Sequence, residues 1–249
     1  MDGKAWLKRS GWAARLRRRA FITHWTGALL FPSHILRSAL CREIGRLAGK
    51  IEGKVLDFGC GSKPYEELFT RASAYVGIDV EQSGHDHASS KVDVFFDGRT
   101  IPFADASFDS VVCFEVMEHV PDLTLALSEI RRVLKPDGVF LASIPFAFPE
   151  HETPYDFRRL TRFGIDRQWQ QQDFVIETIV PTTSAWLTIR QLGIAHFFGE
   201  ILPGGTFAQL ARIPLVAFCN LFAIGTNLIV PKTEAFPLGF VVLSRRGAG

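Results

Sequence analysis

The feature that most constrains the fold is a series of short apolar segments, several of which end at glycine or acidic residues. The segment at 55–58 runs into Gly59-Cys60-Gly61, which predicts a buried strand followed by a tight turn. Six further segments predict strands at 75–79, 92–96, 108–114, 139–144, 174–180 and 240–243. Apolar strands this short indicate a sheet that is buried on both faces.

Helices are predicted between some of these strands. Pro64 suits the first turn of a helix over 65–71, and apolar residues at helical spacing predict another over 122–134. Strands that alternate with helices indicate a parallel sheet with helices on both faces. The sequence therefore predicts an α/β fold with a Rossmann-like, seven-stranded, mostly parallel sheet.

The chain length favours one large domain. Its 249 residues, of which 47% are hydrophobic, suffice for one sizeable α/β core but not for two full domains. We predict a main domain over 51–249, with an apolar helical insertion at about 185–232, after a basic amphipathic helical region over 1–50. The four cysteines form no CxxC pair, which favours a reducing cytoplasm over a disulfide framework.

Basic residues are concentrated at the N-terminus. Residues 1–50 contain eleven Lys or Arg and two acids, whereas the remainder contains seventeen Lys or Arg and twenty-four acids. Aromatic residues such as Trp6 and Trp12 are interleaved with these cations, as is typical of helices that lie on anionic membranes. Peripheral association with the inner face of a membrane is therefore predicted. A solvated basic helix is the alternative, and nucleic-acid contact is less favoured.

A second apolar feature lies near the C-terminus. Residues 213–230 contain no charge and are just long enough to be considered as a membrane span. Pro214 and Asn220 weaken that interpretation, and the segment lies between two strands of the same predicted sheet. We therefore expect an interfacial or buried helical hairpin here.

The turn after the first strand predicts a ligand site. Open α/β sheets bind ligands at the carboxyl ends of their strands, and glycine lets the backbone approach a ligand closely. Asp79, at the end of the next strand, is placed to accept hydrogen bonds from ribose hydroxyls, and Asp57 to orient a cationic amino group. The turn lacks the third glycine of the dinucleotide fingerprint and the GK[ST] of a P-loop, which disfavours both.

The ordered set of motifs is more specific. Residues 55–61 and 75–79 resemble the first two motifs of class I S-adenosylmethionine-dependent methyltransferases, of the type 11 kind. Asp97-Gly98 with the segment 101–112 resembles their adenine-side loop and fourth strand, and 132–138 resembles the turn before their fifth strand. These segments occur in the family's order, and the resemblance implies S-adenosylmethionine as the cofactor.

The resemblance also implies roles for individual residues. It places the methionine part of the cofactor beside the glycine turn and Glu115, the ribose at Asp79, and the adenine at the loop after the third strand. The cofactor-binding residues that it implies are Asp57, Gly59, Cys60, Gly61, Asp79, Asp97, Gly98 and Glu115. The alternative is a Rossmann-like domain that binds another nucleotide or none.

Candidate catalytic residues follow the fourth strand. Methyl transfer from a sulfonium is an in-line displacement, and an oxygen or nitrogen nucleophile also needs a base to take its proton. His119 is the first choice of base because an imidazole exchanges protons near neutral pH, and Glu118 lies beside it. His151, in a later loop, is the third candidate.

The same residues raise the question of a metal. Residues 115–119 have an ExxEH pattern, which resembles the metal-binding element of small-RNA terminal 2′-O-methyltransferases and of ubiquinone-pathway O-methyltransferases. Carboxylates and imidazoles of this kind would hold a divalent ion that acidifies a hydroxyl, and His151 would complete the site. Acid–base residues without a metal are the favoured alternative.

The loop at 145–161 is the candidate acceptor site, because loops at this edge of a sheet carry substrate contacts. Its EHxxPYDxxRxT run, together with the GSKPY turn at 61–65, resembles a methyltransferase subgroup of bacterial cell-surface glycan and lipid functions. We take Tyr155, Asp156 and Arg158 of this loop as the substrate-side candidates. The alternative is a structural lid whose charges pair internally.

These observations predict methyl transfer to an oxygen of a small-molecule, glycan or lipid-linked acceptor. The rival prediction is a non-catalytic module that binds the cofactor or a membrane and acts by recruitment.

Overall fold

The structure is a computed structural model that describes residues 26–81, 90–201 and 206–248. The aromatic and basic residues of the predicted N-terminal membrane helix precede residue 26 and lie outside the described residues. Most of the predicted insertion and all candidate site residues lie within them.

A seven-stranded sheet forms the core. Its strands are β1 (Glu52–Phe58), β2 (Arg71–Val80), β3 (Val94–Phe96), β4 (Phe108–Phe114), β5 (Leu134–Pro145), β6 (Phe174–Pro181) and β7 (Gly239–Arg246). The strand order is β3-β2-β1-β4-β5-β7-β6, in which only β7 runs antiparallel to its neighbours β5 and β6. The predicted α/β fold with a mostly parallel sheet is therefore confirmed.

The helices are α1 (Gly27–Leu30), α2 (His34–Leu47), α3 (Leu123–Val133), α4 (Arg162–Gln170), α5 (Ala185–His196) and α6 (Thr206–Thr226). Short 3-10 segments occupy Ala48–Lys50 and Glu66–Leu68, and a π-helix covers Phe197–Ile201. The helix predicted over 122–134 is confirmed as α3, which begins after Asp122 because that carboxylate accepts a hydrogen bond from the Leu125 N–H.

The helix predicted over 65–71 is wrong. Only the 3-10 segment Glu66–Leu68 forms there, and β2 already begins at Arg71. Tyr65 and Phe69 are both buried, with ring centroids 5.2 and 6.0 Å from that of Phe114. Burial of both aromatic rings against the sheet keeps the chain in a compact turn instead of a regular helix.

Residues 213–226 do not form a hairpin of their own, because they belong to the single helix α6. The polypeptide divides into two compact units, one from Met1–Arg42 with Thr183–Phe236 and the other from Glu43–Thr182 with Pro237–Gly249. The predicted boundary between a helical region over 1–50 and a main domain over 51–249 stays a prediction. In the part of the chain that the structure describes, no helix has both the length and the apolar character needed to cross a bilayer.

Candidate active site

The glycine turn follows β1 and packs against the segment that follows β4. Gly59 and Gly61 both have positive φ angles, of 73° and 46°, in the region that favours glycine. The backbone N–H groups of Gly59 and Cys60 both donate to the Ile78 carbonyl, at 2.9 and 3.0 Å. A Cβ on Gly59 would lie only 2.5 Å from Val116 Cγ2, so no larger residue fits. The turn is therefore held directly beside the 115–119 segment.

Asp79 connects the end of β2 to this turn. Its Oδ2 accepts a hydrogen bond from the Gly61 N–H at 3.0 Å, and its Oδ1 accepts one from the Val80 N–H at 2.9 Å. The side chain is half-buried, so the carboxylate is reachable from the turn. The structure thus places Asp79 and Gly61 together, and the role of Asp79 toward a ribose stays a prediction.

Asp57 is a buried acid at the end of β1. Its Oδ2 accepts a hydrogen bond of 2.8 Å from the Tyr75 hydroxyl, and only 3% of the residue is exposed. Burial raises the pKa of Asp57 to about 7. An approaching cation would therefore favour the charged form of this carboxyl. Tyr75 was not predicted as a partner of Asp57, because the two meet only through the pairing of β1 with β2.

The ion pair between Lys63 and Asp93 was not predicted from the sequence either. The Lys63 ammonium lies 2.5 Å from Asp93 Oδ2, which accepts a second hydrogen bond from the Gly77 N–H at 2.7 Å. A Cβ on Gly77 would lie 2.5 Å from Lys63 Cε and 2.6 Å from Cys60 Sγ. Burial raises the pKa of the Cys60 thiol to about 12, so the thiol stays protonated, and its contact with a cofactor stays a prediction.

Asp97 and Gly98 follow β3. Asp97 is exposed, and its Oδ1 accepts hydrogen bonds from the N–H groups of Arg99 at 2.8 Å and Thr100 at 2.9 Å. These hydrogen bonds lower the pKa of Asp97. Gly98 has a φ of 75°, which the turn requires. The structure shows Asp97 shaping its own turn, and its contact with an adenine stays a prediction.

Glu115 follows β4 at the same edge of the sheet. Its backbone has a φ of 54°, an uncommon conformation for a non-glycine residue. The Ser143 hydroxyl donates to Glu115 Oε1 at 2.7 Å, and the Glu115 N–H donates to the Ser143 carbonyl at 3.2 Å. Burial raises the pKa of Glu115. Ser143 was not predicted, since it reaches Glu115 through the register that pairs Phe114 with Ser143.

The three predicted catalytic residues lie together. His119 Nε2 is 3.2 Å from His151 Nε2 and 3.6 Å from Glu118 Oε1. One ligand atom from each residue lies within 4.8 Å of the other two. Glu118 is fully buried, and neither of its oxygens has a hydrogen-bond partner within the described chain. Burial raises the pKa of Glu118 well above its ordinary value, and the nearby Glu115 charge raises it further.

The hydrogen bonds around the two imidazoles fix their tautomers. His119 Nδ1 lies 2.8 Å from the Tyr155 carbonyl, and His151 Nδ1 lies 3.2 Å from the Pro149 carbonyl. A carbonyl only accepts, so both Nδ1 atoms carry hydrogen, and in the neutral rings both Nε2 atoms present lone pairs to each other. A positive centre between them, either a shared proton or a metal ion, would relieve that repulsion.

The donor set also fits a divalent ion. Two imidazole nitrogens that bind one tetrahedral Zn²⁺ at about 2.0–2.1 Å are separated by about 3.3 Å, close to the spacing of the two Nε2 atoms. Glu118 would add a carboxylate that has no other partner among the described residues. The cluster can therefore hold a proton or a divalent cation.

The acceptor loop is held by ion pairs within itself. Asp156 accepts two hydrogen bonds from the Arg159 guanidinium, at 2.5 and 2.6 Å, and one from the His151 N–H at 3.1 Å. The Arg159 hydrogen bonds lower the pKa of Asp156 to about 2. This geometry favours the alternative in which the loop's charges pair internally, and Asp156 as a substrate contact stays a prediction.

Arg158 and Tyr155 also contact the segment 117–121, which contains the candidate base His119. The Arg158 guanidinium donates to the carbonyls of Met117 at 2.7 Å, Pro121 at 2.9 Å, and Val120. The Tyr155 side chain is 40% exposed, while its carbonyl accepts from His119. Arg158 thus positions the chain on both sides of His119, a role that was not predicted. Substrate contact by Tyr155 and Arg158 stays a prediction.

The strand order, the glycine turn after β1 and the acids at the ends of β1, β2 and β4 match the arrangement of a Rossmann-like nucleotide site. Solved structures share this fold. That of a geranyl diphosphate methyltransferase in complex with GPP and sinefungin has a TM-score of 0.54 at 15% identity, over 86% of this chain and 79% of that one. At such low identity the likeness concerns the fold alone.

Sequence comparison gives a family match over part of the chain. Residues 56–142 match the model described as a methyltransferase domain. A ubiquinone biosynthesis O-methyltransferase of Actinobacillus pleuropneumoniae serotype 5b (strain L20) is 34% identical over 128 residues, which are 45% of this chain and 54% of that protein. A sterol 24-C-methyltransferase of Gibberella zeae is 40% identical over 102 residues, 35% of this chain and 26% of that protein.

Residues 56–142 therefore match a methyltransferase domain, in agreement with the predicted resemblance to class I S-adenosylmethionine-dependent methyltransferases. The chain spans about half or less of the length of these two curated relatives. One relative is named for transfer to oxygen and the other for transfer to carbon, so the match does not by itself assign the acceptor atom.

Proposed function

We propose that the protein transfers the methyl group of S-adenosylmethionine to a hydroxyl oxygen, with His119 as the proton acceptor. The observation that carries this proposal is the placement of His119. Its Nε2 lies 3.2 Å from His151 Nε2 and 3.6 Å from the buried Glu118 carboxyl, in the segment whose Val116 lies beside the Gly59 turn. Proton acceptor and cofactor turn therefore belong to one continuous packed unit.

The proposed roles follow from the hydrogen bonds. S-adenosylmethionine supplies the electrophilic methyl group when it is bound. His119 Nε2 would take the hydroxyl proton as the oxygen–carbon bond forms and the methyl–sulfur bond breaks, with S-adenosylhomocysteine as the leaving group. The carbonyl of Tyr155 keeps Nδ1 protonated. The Glu118 carboxyl lies 3.6 Å from Nε2, and the positive imidazolium that results favours the ionised form of this buried acid, which in turn stabilises the imidazolium. Positioning of the hydroxyl in line with the methyl group supplies the rest of the rate.

A divalent ion is the second possibility for the same cluster. Glu118, His119 and His151 are the residues that would hold it, and bound there it would make the hydroxyl easier to deprotonate. His119 Nε2 cannot serve both mechanisms, because a nitrogen that binds a metal cannot also take a proton. A chelator therefore distinguishes the two.

The class of acceptor is proposed from sequence resemblance. The EHxxPYDxxRxT run resembles a subgroup with bacterial cell-surface glycan and lipid functions, and one relative is named for ubiquinone biosynthesis. We therefore propose a hydroxylated small molecule, glycan or lipid-linked acceptor at the loop that contains Tyr155. The cytoplasmic location, peripheral on a membrane, stays a prediction. The rival is a non-catalytic module that binds the cofactor and acts by recruitment.

The test is formation of S-adenosylhomocysteine with a panel of catechols, phenols, monosaccharides and polyprenyl-linked sugars. His119→Ala should lower turnover by about 10²- to 10⁴-fold on any accepted substrate, since a positioned base contributes that much. Affinity for S-adenosylmethionine should stay within about twofold, because His119 is not among the cofactor-side residues. His196→Ala, in α5, is the matched control and should keep full turnover.

Chelation is the second arm of this experiment. The base mechanism predicts that EDTA leaves turnover unchanged, whereas loss with EDTA and recovery with Mg²⁺, Mn²⁺ or Zn²⁺ would establish the metal instead. Full turnover in His119→Ala would remove His119 from the mechanism. Cofactor binding without turnover on any acceptor would favour the recruitment module.

A further inference from the structure

Helix α6 has an unusual distribution of apolar side chains. Large apolar residues on one side of it are strongly exposed: Phe218 is 64%, Leu221 53% and Phe222 43% exposed. The chain just beyond the helix continues this surface with Leu228 and Ile229, which are 78% and 82% exposed. We call these five residues the α6 apolar face. Contiguous exposed apolar surface of this kind marks an interaction site.

The opposite side of α6 is partly polar. Asn220 is fully buried and its Nδ2 donates to the carbonyls of Ala28 at 2.9 Å and Phe31 at 3.0 Å. Val216 and Ala223 are buried on the same side. The helix therefore hydrogen-bonds inward through an amide and presents its largest apolar groups outward, the reverse of an ordinary surface helix.

Amphipathic side chains flank the α6 apolar face. The Arg190 guanidinium lies 4.9 Å from the ring centroid of Phe222 and 5.6 Å from that of Trp186. The Trp186 indole N–H donates to the Thr226 hydroxyl at 2.9 Å. A tryptophan and an arginine at the border of an apolar surface are typical of the boundary between hydrocarbon and lipid headgroups.

The charge of the compact unit that contains α6 points to the same partner. Met1–Arg42 and Thr183–Phe236 together contain twelve Lys or Arg and three Asp or Glu, a balance of nine positive charges. The other unit contains sixteen basic and twenty-three acidic residues, a balance of seven negative charges. By sequence, the unit with these exposed apolar side chains is thus also the basic one, and seven of its twelve basic residues precede residue 26, outside the described residues.

We propose that the α6 apolar face inserts into the surface of an anionic lipid bilayer. Burial of the five apolar side chains at the headgroup boundary supplies the hydrophobic part of the binding, and the nine net positive charges supply the electrostatic part. A second copy of this chain is disfavoured as the partner, because two units of the same high charge would repel.

The test is sedimentation of the full chain with vesicles, without cofactor or acceptor, so its outcome is independent of the proposed methyl transfer. Wild type should bind phosphatidylglycerol-containing vesicles, and bind pure phosphatidylcholine vesicles much more weakly. Phe218→Asp with Leu221→Asp should lower the affinity for the anionic vesicles by about tenfold or more. Rising salt should weaken binding of the wild type.

The matched control is Phe163→Asp with Val175→Asp. These two side chains are 79% and 61% exposed and belong to the other unit, so this variant changes the same chemistry elsewhere. It should bind vesicles like wild type, and circular dichroism should show that both variants fold. Equal loss of vesicle binding in both variants would overturn the proposal, as would a wild-type protein that does not bind anionic vesicles. A dimer in light scattering that only the α6 variant disrupts would assign the face to a second copy.

Discussion

The cofactor side and the acceptor side of the candidate active site are held by different parts of the fold. On the cofactor side, Asp57, Asp79 and Glu115 lie at strand ends, where sheet geometry fixes their backbones. On the acceptor side, His119 and His151 lie on irregular backbone. His119 depends on the carbonyl of Tyr155, 36 residues further along the chain, and His151 depends on Pro149 and Asp156 of its own loop. Strand ends are specified locally, whereas the loop arrangement needs several long-range contacts to form at once.

The family match follows the same division. It covers residues 56–142, which include the cofactor side and His119 but stop before His151 and the acceptor loop. The comparison predicts that substitutions on the acceptor side change turnover, and that substitutions on the cofactor side change binding of S-adenosylmethionine.

After His119 itself, the largest expected effect is that of Arg158→Gln on the acceptor side. It removes the guanidinium that donates to the carbonyls of Met117 and Pro121 on either side of His119. We expect turnover to fall by about 10²-fold, the cost of displacing a catalytic group by about 1 Å. The free energy of unfolding should fall by about 1–3 kcal/mol, because carbonyls lose their donor.

Two comparisons make the Arg158 result specific. Affinity for S-adenosylmethionine should change little in Arg158→Gln, and Arg167→Gln, an exposed arginine of α4, should leave turnover unchanged. If Arg158→Gln instead raises only the acceptor KM, the side chain binds substrate, and the positioning role is wrong.

A smaller effect is expected on the cofactor side, from the pH dependence of Asp57. Burial raises its pKa to about 7, so below that pH the carboxyl must lose a proton before it can meet a cationic amino group. Affinity for S-adenosylmethionine should therefore rise by up to about tenfold per pH unit between pH 5 and 7, and level off above. Calorimetry across this range measures the slope, and Asp57→Asn should remove it.

The same group predicts the pH dependence of stability without ligand. Between its ordinary pKa of about 4 and its folded pKa of about 7, Asp57 keeps a proton in the folded protein that the unfolded chain has released. Stability should consequently fall as the pH rises through this window, and less so in Asp57→Asn. A wild type whose stability and cofactor affinity are both independent of pH there would show that Asp57 is ionised throughout.

Much of the cofactor side was predictable from the sequence. Asp57, Gly59 and Asp79 follow from strands that end in a glycine turn and in an acid, and the strand order places them at one edge. The partners of these residues were not predictable. Tyr75 and Ser143 reach Asp57 and Glu115 only through strand registers, which no single segment encodes.

The acceptor side was predicted as a set of residues but not as an arrangement. The loop composition identified His151, Asp156 and Arg158, yet the pairing of Asp156 with Arg159 and the Arg158 contacts with carbonyls depend on how the loop folds back. The helix predicted over 65–71 failed for a similar reason, since burial of Tyr65 and Phe69 overrides local helical preference.

The most direct test of the central claim is calorimetric titration of the wild-type protein with S-adenosylmethionine and S-adenosylhomocysteine, with NAD as the control ligand. The account predicts saturable binding of both sulfur compounds and none of NAD. Asp79→Ala should weaken that binding, because it removes the carboxylate that Gly61 contacts at the end of β2. Folded wild-type protein that binds neither sulfur compound, or that binds NAD equally well, would contradict the assignment of this edge of the sheet to S-adenosylmethionine.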